Sequence, residues 1–156
     1  MPEILSLTDM ARIHLLRRAL DRLPAEDHAG FIDALFRKGD NKEREALLRS
    51  LMLLPSPEQF LPTATDSCRA AVQTTFEAIA CENAYPAKYF SPEAFSAMVL
   101  KALHLGIRVH RIHGLDKRKD SDLSRMAADY ASELDAAKRP IPADIAIILN
   151  TGGVTA

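Results

Sequence analysis

The chain has 156 residues, with 20 Lys and Arg against 21 Asp and Glu, and its formal net charge is −1. This length suits one domain that buries a core without metal or disulfide support, and the balanced charge argues against nucleic acid and anionic membranes as partners. Only two cysteines, no signal-peptide pattern and no apolar run of about 20 residues are present, so we expect a cytoplasmic protein without a transmembrane segment.

Three amphipathic helices are predicted in the first third of the chain. Apolar residues recur at helical spacing and predict that Met10 in the first helix and Leu35 in the second face the core. Gly39 is a stop signal, and Asp40 or Asn41 supplies the cap of the third helix. The predicted ranges are 6–23, 25–38 and 41–54.

A fourth helix is predicted over residues 65–82. Three of its polar residues, Arg69, Gln73 and Glu77, lie at positions i, i+4 and i+8 and therefore share one face. That face is either a solvent surface or the floor of a groove. If the face were desolvated, Glu77 could act as a general acid or base, whereas charges at helical spacing are typical of a solvated surface.

A fifth helix is clearly delimited in the sequence. Ser91 supplies a cap, Pro92 stands at the first helical position, and Gly106 is expected to end the helix. Lys101 and His104 lie on the side opposite the apolar line. Lys101 suits either a buried amine able to form a Schiff base or an exposed lysine whose stem covers apolar surface.

The segment 101–120 is basic although the chain is not. It holds six Lys or Arg and two Asp. Clustered cations near a helix start can hold a phosphate or carboxylate, and the alternative is a solvated basic loop. The pair of histidines in this segment lacks a second close ligand pair, so we expect neither a metal nor a cofactor. The predicted anion-binding residues are His110, Arg111, His113, Lys117 and Arg118.

The rest of the chain adds a sixth helix over 121–139 and a short final helix that carries Ile145 and Ile148. Six or seven helices with short links predict an all-α fold of antiparallel hairpins, either a compact bundle or a small HEAT-like superhelix. We favour the superhelix because Pro interrupts several junctions. The expected organisation is one domain over residues 1–150 and a flexible tail over 151–156.

The strings FEAIACENAYPAKYFSPEAFSAMVLKALHLG, IHGLDKR, LSRMAADYASE and KRPIPADI follow one another between residues 76 and 145. In these strings, and over roughly 69–145, the chain resembles the EboA family. It departs from that resemblance at Ser96, Ala97 and His104, where more polar or aromatic residues are expected. Positions shared with the family that suit structural roles are Asn83, Tyr85, Lys88, Lys101, Asp116, Arg118 and Glu133.

The resemblance implies a part in making or moving a small molecule, derived from an isoprenoid or a polyol, in a bacterial secondary-metabolite operon. It implies enzymes and a membrane prenyltransferase encoded nearby, and it allows peripheral contact with that membrane enzyme. It supplies no catalytic residues. Among structural roles, Arg118 is expected to pair with an acid on the following helix and Asn83 to cap the turn.

Our leading hypothesis is a non-enzymatic accessory protein that binds a metabolite or a pathway enzyme in the groove between the fourth and fifth helices. The alternative is a small cofactor-independent enzyme that uses Glu77 or His104 as acid or base. A scaffold without a ligand is a third possibility. The predicted ligand-binding residues are Arg69, Gln73, Glu77, Asn83, Tyr85, Lys101 and His104.

Overall fold

The regular secondary structure in residues 5–149, the part of the chain that the computed structural model describes, is entirely helical. This confirms the predicted all-α class. Ten α-helices lie within these residues: α1 (Leu7–Leu20), α2 (His28–Lys38), α3 (Asn41–Ser50), α4 (Leu61–Ser67), α5 (Gln73–Ala80), α6 (Tyr85–Tyr89), α7 (Pro92–His104), α8 (Leu115–Arg118), α9 (Ser121–Ala136) and α10 (Ile145–Leu149). Short 3₁₀ turns cover Ala25–Asp27, Leu51–Leu53, Pro57–Phe60 and Val109–Arg111.

Local capping explains several helix ends. The Asp40 side chain accepts from the backbone N–H of Glu43, and Glu43 returns a bond to the Asp40 backbone, so the predicted cap of α3 is confirmed. The Ser91 side chain caps α7 by accepting from the backbone N–H of Ala94, with Pro92 at the first helical position. Gly106 follows that helix with φ +70°, a conformation that glycine adopts without steric cost.

The core is centred on the packing of α3 against α5. Leu48 on α3 and Phe76 and Ile79 on α5 are fully buried, and α7 packs on the same helix. Burial of each such side chain contributes roughly 1.5–3 kcal/mol. One contiguous apolar core runs from Leu20 to Ile148. The single domain over residues 1–150 stays a prediction.

The largest correction concerns the predicted fourth helix over 65–82, which is wrong. The chain forms two helices there, α4 and α5, separated by the non-helical segment 68–72. We call this segment the helix break. The break adds one helix to the six or seven expected, and the short helices α6 and α8, which were not predicted, account for the other additional helices within residues 5–149.

Smaller corrections affect the first two helices. Met10 is 57% exposed, and on α2 the fully buried residue is Ile32, while Leu35 is exposed. The second helix begins at His28, three residues later than predicted, because the preceding residues form a 3₁₀ turn. The His28 ring lies 2.9 Å from the carbonyl oxygen of Leu20, so it closes the end of α1.

Three of the predicted helix ends were too late. The first helix ends at Leu20, α3 ends at Ser50 before a 3₁₀ turn, and α9 ends at Ala136. After α9 the backbone of Lys138 adopts φ +53°, which is incompatible with continued helix.

No helix within residues 5–149 combines the length and apolarity needed to cross a bilayer. The predicted flexible tail over 151–156 lies outside the described residues. The HEAT-like superhelix stays a prediction.

Candidate functional site

The helix break divides the polar face on which the predicted groove depended. Arg69 lies in the break, where its guanidinium is 3.3 Å from the Asp66 carboxylate, whereas Gln73 and Glu77 lie on α5. The three residues therefore do not form one continuous helical line.

Gln73 and Glu77 belong to a polar network with the segment after α7. Gln73 Nε2 donates to Glu77 Oε1 at 2.8 Å, and Arg111 Nη1 donates to Glu77 Oε2 at 2.7 Å. The hydrogen bonds from Arg111 and then from Gln73 lower the pKa of Glu77. A carboxylate with a lowered pKa and both oxygens engaged is a weak general base.

Arg111 also holds Glu82, through bonds of 2.8 Å from Nε and 3.0 Å from Nη2. The backbone N–H of Glu82 donates in turn to the Arg111 carbonyl. Two carboxylate partners raise the pKa of Arg111, the Glu82 hydrogen bond being the larger cause. The guanidinium predicted to bind anions is therefore engaged by two acidic residues of the chain itself.

Lys101 lies against the helix break. Its ammonium group donates to the carbonyl oxygens of Cys68 and Ala70, the second at 2.9 Å, and lies 4.7 Å from the centre of the Phe76 ring. The side chain is half-buried. It therefore satisfies backbone acceptors that the interruption of the helix leaves without helical partners.

Asn83 and Tyr85 are buried and hold the fold together. Asn83 Nδ2 donates to the carbonyl oxygens of Leu48 and Ala78, and its Oδ1 accepts from the backbone N–H of Tyr85, so it caps the turn before α6. The Tyr85 hydroxyl donates to the Pro57 carbonyl at 2.7 Å. These contacts give both Asn83 and Tyr85 a structural role.

His104 is exposed at the end of α7. Its ring stacks on Tyr130 of α9 with 4.1 Å between ring centroids, and Nδ1 lies 2.8 Å from the Leu100 carbonyl oxygen. The structure therefore associates His104 with α9, whereas Glu77 is associated with Arg111.

The predicted anion cluster is divided in the structure. Arg118 donates to the carbonyl oxygens of Ala87 at 2.6 Å and Phe90 at 2.8 Å and lies over the Phe95 ring. It therefore closes the end of α6, and the expected pairing with an acid on the next helix is wrong. The remaining cations and histidines of the cluster line a separate surface cleft of 460 Å³, formed by residues that include His110, His113, Lys117 and Asp116.

Metal-ligating side chains do not converge in the described part of the chain, where no group of three or more His, Cys, Asp or Glu is arranged to hold an ion. Cys68 and Cys81 are both free thiols. Burial raises the pKa of Cys68 to about 12 and that of Cys81 to about 11.

A different cleft, which we call the arginine cleft, adjoins the helix break. It has a volume of 590 Å³ and lies between the end of α2, Arg44 of α3 and the start of α5. Its polar lining contains three guanidinium groups, one carboxylate and one hydroxyl. These side chains are Arg37, Arg44, Arg69, Asp66 and Thr75.

The three arginines are held differently. Arg44 donates to the carbonyl oxygens of Phe36 (2.8 Å) and Arg37 (3.0 Å), so it closes the end of α2 and is fixed in place. Arg37 is bonded through Nε to Asp33 at 2.7 Å, while one of its terminal nitrogens lies 3.6 Å from Asp66. Arg69 is largely exposed.

The N-terminus of α5 also lies at the arginine cleft. Val72, at the cap position, provides no side-chain hydrogen bond to the first turn, so the backbone N–H groups of Gln73, Thr74 and Thr75 have no cap. Thr75 is 2% exposed, and its hydroxyl is, among the described residues, the buried side-chain oxygen that has no hydrogen-bond partner.

Sequence reasoning found Arg69 but missed Arg37, Arg44 and Thr75. Arg37 and Arg44 belong to different helices, and their meeting with Arg69 depends on tertiary packing. The sequence signal that was available is the uncapped start of α5, since no Ser, Thr, Asp or Asn occupies position 72.

Comparison with known proteins gives one match. A family model described as metabolite traffic protein EboA matches residues 1–150, a longer span than the resemblance over 69–145. No curated protein and no solved structure matches the chain.

Proposed function

The chain belongs to the EboA family of metabolite traffic proteins, and we propose that it is a non-enzymatic accessory protein that binds a small molecule in the arginine cleft. The ligand would be an intermediate or product of a secondary-metabolite pathway, handed to or received from a pathway enzyme. The supporting observation is the arginine cleft itself, which combines a volume of 590 Å³ with cationic side chains and an uncapped helix start.

The proposed binding site differs from the predicted groove. Arg69 is common to both, whereas Asn83, Tyr85 and Lys101 make structural contacts with backbone carbonyl groups. Gln73 is the first residue of α5 and directly follows Val72, which lines the cleft.

The enzymatic alternative finds less support. Glu77 has both carboxylate oxygens engaged and a lowered pKa, and His104 stacks on Tyr130 of another helix. We therefore do not expect these two residues to act on one substrate.

A cytoplasmic location also belongs to this proposal. It is supported by two free cysteines, and the formal net charge of −1 supports a partner other than nucleic acid. A pathway enzyme embedded in a membrane would be met through peripheral contact.

The test is native mass spectrometry of the purified chain after incubation with a small-molecule extract of cells that make the pathway product. We expect a complex with one ligand of unchanged mass. The ligand should be lost in Arg69→Gln and retained in the matched control Arg125→Gln, since Arg125 lies on the exposed face of α9.

Two other outcomes would contradict the proposal. A product that accumulates over many turnovers and disappears in Glu77→Gln or His104→Ala would establish the enzyme instead. Retention of a pathway enzyme in a pull-down, together with no bound small molecule, would establish a scaffold.

A further inference from the structure

We infer that the arginine cleft recognises the phosphate group of a phosphorylated small molecule. This inference rests on the proposed function and specifies the ligand class of the same site. The group would lie between the Arg37 and Arg69 guanidiniums and the backbone N–H groups at the start of α5.

Charge is the first reason for an anion. Three guanidinium groups line the cleft against the single carboxylate of Asp66. Counting Asp33, which lies behind Arg37, leaves a surplus of one positive charge. Arg44 covers the last carbonyl groups of α2, so the negative end of that helix does not repel an anion here.

Asp66 does not saturate these cations. Its carboxylate lies 3.3 Å from Arg69 and 3.6 Å from Arg37, whereas good charge-assisted hydrogen bonds measure roughly 2.7–2.9 Å. Both guanidiniums are largely exposed and therefore retain donors for a ligand.

The start of α5 is the second reason. The N-terminus of a helix carries a partial positive charge and N–H groups that point along the axis, which together bind phosphate. In α5 no side-chain cap accepts a hydrogen bond from these N–H groups.

Thr75 points independently to a ligand. Its residue is almost fully buried, it lines the cleft, and its hydroxyl has no partner within the described residues. An unsatisfied buried hydroxyl costs roughly 1–3 kcal/mol, so a ligand oxygen that accepts from it would recover this loss. Because the oxygen lies below the surface of the cleft, the hydroxyl must rotate about the Cα–Cβ bond to meet the anion.

The number of donors favours phosphate over carboxylate. The guanidiniums of Arg37 and Arg69, the uncapped first turn of α5 and the Thr75 hydroxyl together offer more donors than a carboxylate with two oxygens accepts. A phosphate monoester offers three terminal oxygens and a charge of about −1.5 to −2 at neutral pH.

The test is titration of the ¹⁵N-labelled full chain with inorganic phosphate, glycerol 3-phosphate and succinate, followed by two-dimensional NMR. We expect saturable shifts of the backbone amides of Gln73, Thr74 and Thr75 with both phosphates. Thr75→Val, which preserves shape, should weaken binding by about three- to tenfold, and Arg69→Gln by about tenfold.

Two variants check the electrostatic origin. Asp66→Asn should tighten phosphate binding because it removes the competing carboxylate. Arg125→Gln, the matched control on α9, should leave the affinity unchanged, and thermal unfolding of each variant establishes that it is folded.

The inference is overturned if succinate binds as tightly as phosphate, if the shifts do not saturate, or if Arg69→Gln behaves like Arg125→Gln. Failure of this inference can be distinguished from failure of the proposed function. If a metabolite from the extract shifts the amides of α5 and phosphate does not, the ligand class is wrong and the binding role stands. If neither does, both are wrong.

Discussion

The ammonium group of Lys101 donates a hydrogen bond of 2.9 Å to the carbonyl oxygen of Ala70 in the helix break. The same group donates to the Cys68 carbonyl. The carbonyl side of the break is thereby neutralised by a cation of α7, while the N–H side, at the start of α5, has no side-chain cap. This asymmetry leaves the positive end of α5 at the arginine cleft.

Replacement of Lys101 by Met should therefore destabilise the chain. The Met side chain keeps much of the apolar stem but removes a charged donor from two carbonyl groups, so we expect a loss of about 2–3 kcal/mol in the free energy of unfolding. Urea denaturation followed by circular dichroism measures this loss.

The control for this change is Lys117→Met, since the Lys117 side chain is exposed. It should alter stability by less than about 0.5 kcal/mol. An equally small effect of Lys101→Met would show that the break does not depend on the ammonium group.

Lys101 also shows where sequence reasoning reached its limit. Helix ends governed by near neighbours, such as the Ser91 and Pro92 start of α7 and its Gly106 stop, are local and were predicted. The break at 68–72 depends on a lysine more than 30 positions away, and the apolar periodicity continues through it.

The polar face of the predicted groove shows the same limit. Gln73 and Glu77 were correctly placed on one face, but their partner Arg111 comes from a segment 34 positions further along, and it is this arginine that engages the carboxylate. The arginine cleft forms where three separate elements of the fold meet, so the sequence alone indicated only one of its arginines, Arg69.

Replacement of Arg111 by Met should weaken the chain at neutral pH by about 1–2 kcal/mol. The bidentate contact with Glu82 and the bond to Glu77 are both lost, although partial exposure reduces their contribution. Arg125→Met, whose pairs with Asp122 and Asp129 are exposed, should cost less than about 0.5 kcal/mol.

The same network predicts an acid dependence of stability. The pKa of Glu77 is lower in the folded chain, so the stabilisation is present above the unfolded pKa of about 4.3 and is lost as the pH falls through the folded value. Arg111→Met should flatten this loss when urea unfolding is measured from about pH 5 downward, through and below the unfolded pKa of Glu77. An unchanged slope would contradict the role of Arg111.

Replacement of Asn83 by Ala should be among the more damaging changes in the chain. It leaves the Leu48 and Ala78 carbonyls and the Tyr85 N–H without their partner in a buried position, which should cost about 2–4 kcal/mol. Thermal or urea unfolding provides the measurement.

Asn83→Asp sharpens this test because it preserves shape. It replaces an amide donor by an oxygen that faces two carbonyl oxygens, so it should cost at least as much as Ala. Asn41→Ala, at an exposed position of α3, is the control and should stay within about 0.5 kcal/mol. A stable Asn83→Asp chain would show that the amide donor is dispensable.

The two thiols should be protected in the folded chain. Burial raises the pKa of Cys68 to about 12 and of Cys81 to about 11, and the thiolate is the reactive form. Alkylation by iodoacetamide at pH 8 should therefore be at least about a hundredfold slower in the folded than in the urea-unfolded chain. Mass spectrometry follows both sites. Reaction of either site at the unfolded rate would contradict burial as the cause.

The sign of the linked pH effect follows from these two pKa values. Above the unfolded thiol pKa of about 8.5 the unfolded chain releases protons that the folded chain retains, so stability should fall as the pH rises toward 11 or 12. The slope reaches at most about 1.4 kcal/mol per pH unit for each thiol. The double variant Cys68→Ala, Cys81→Ala should lose most of this slope between about pH 8.5 and 9.5, below the ordinary tyrosine pKa. A slope that persists in the double variant would assign the alkaline loss to other groups.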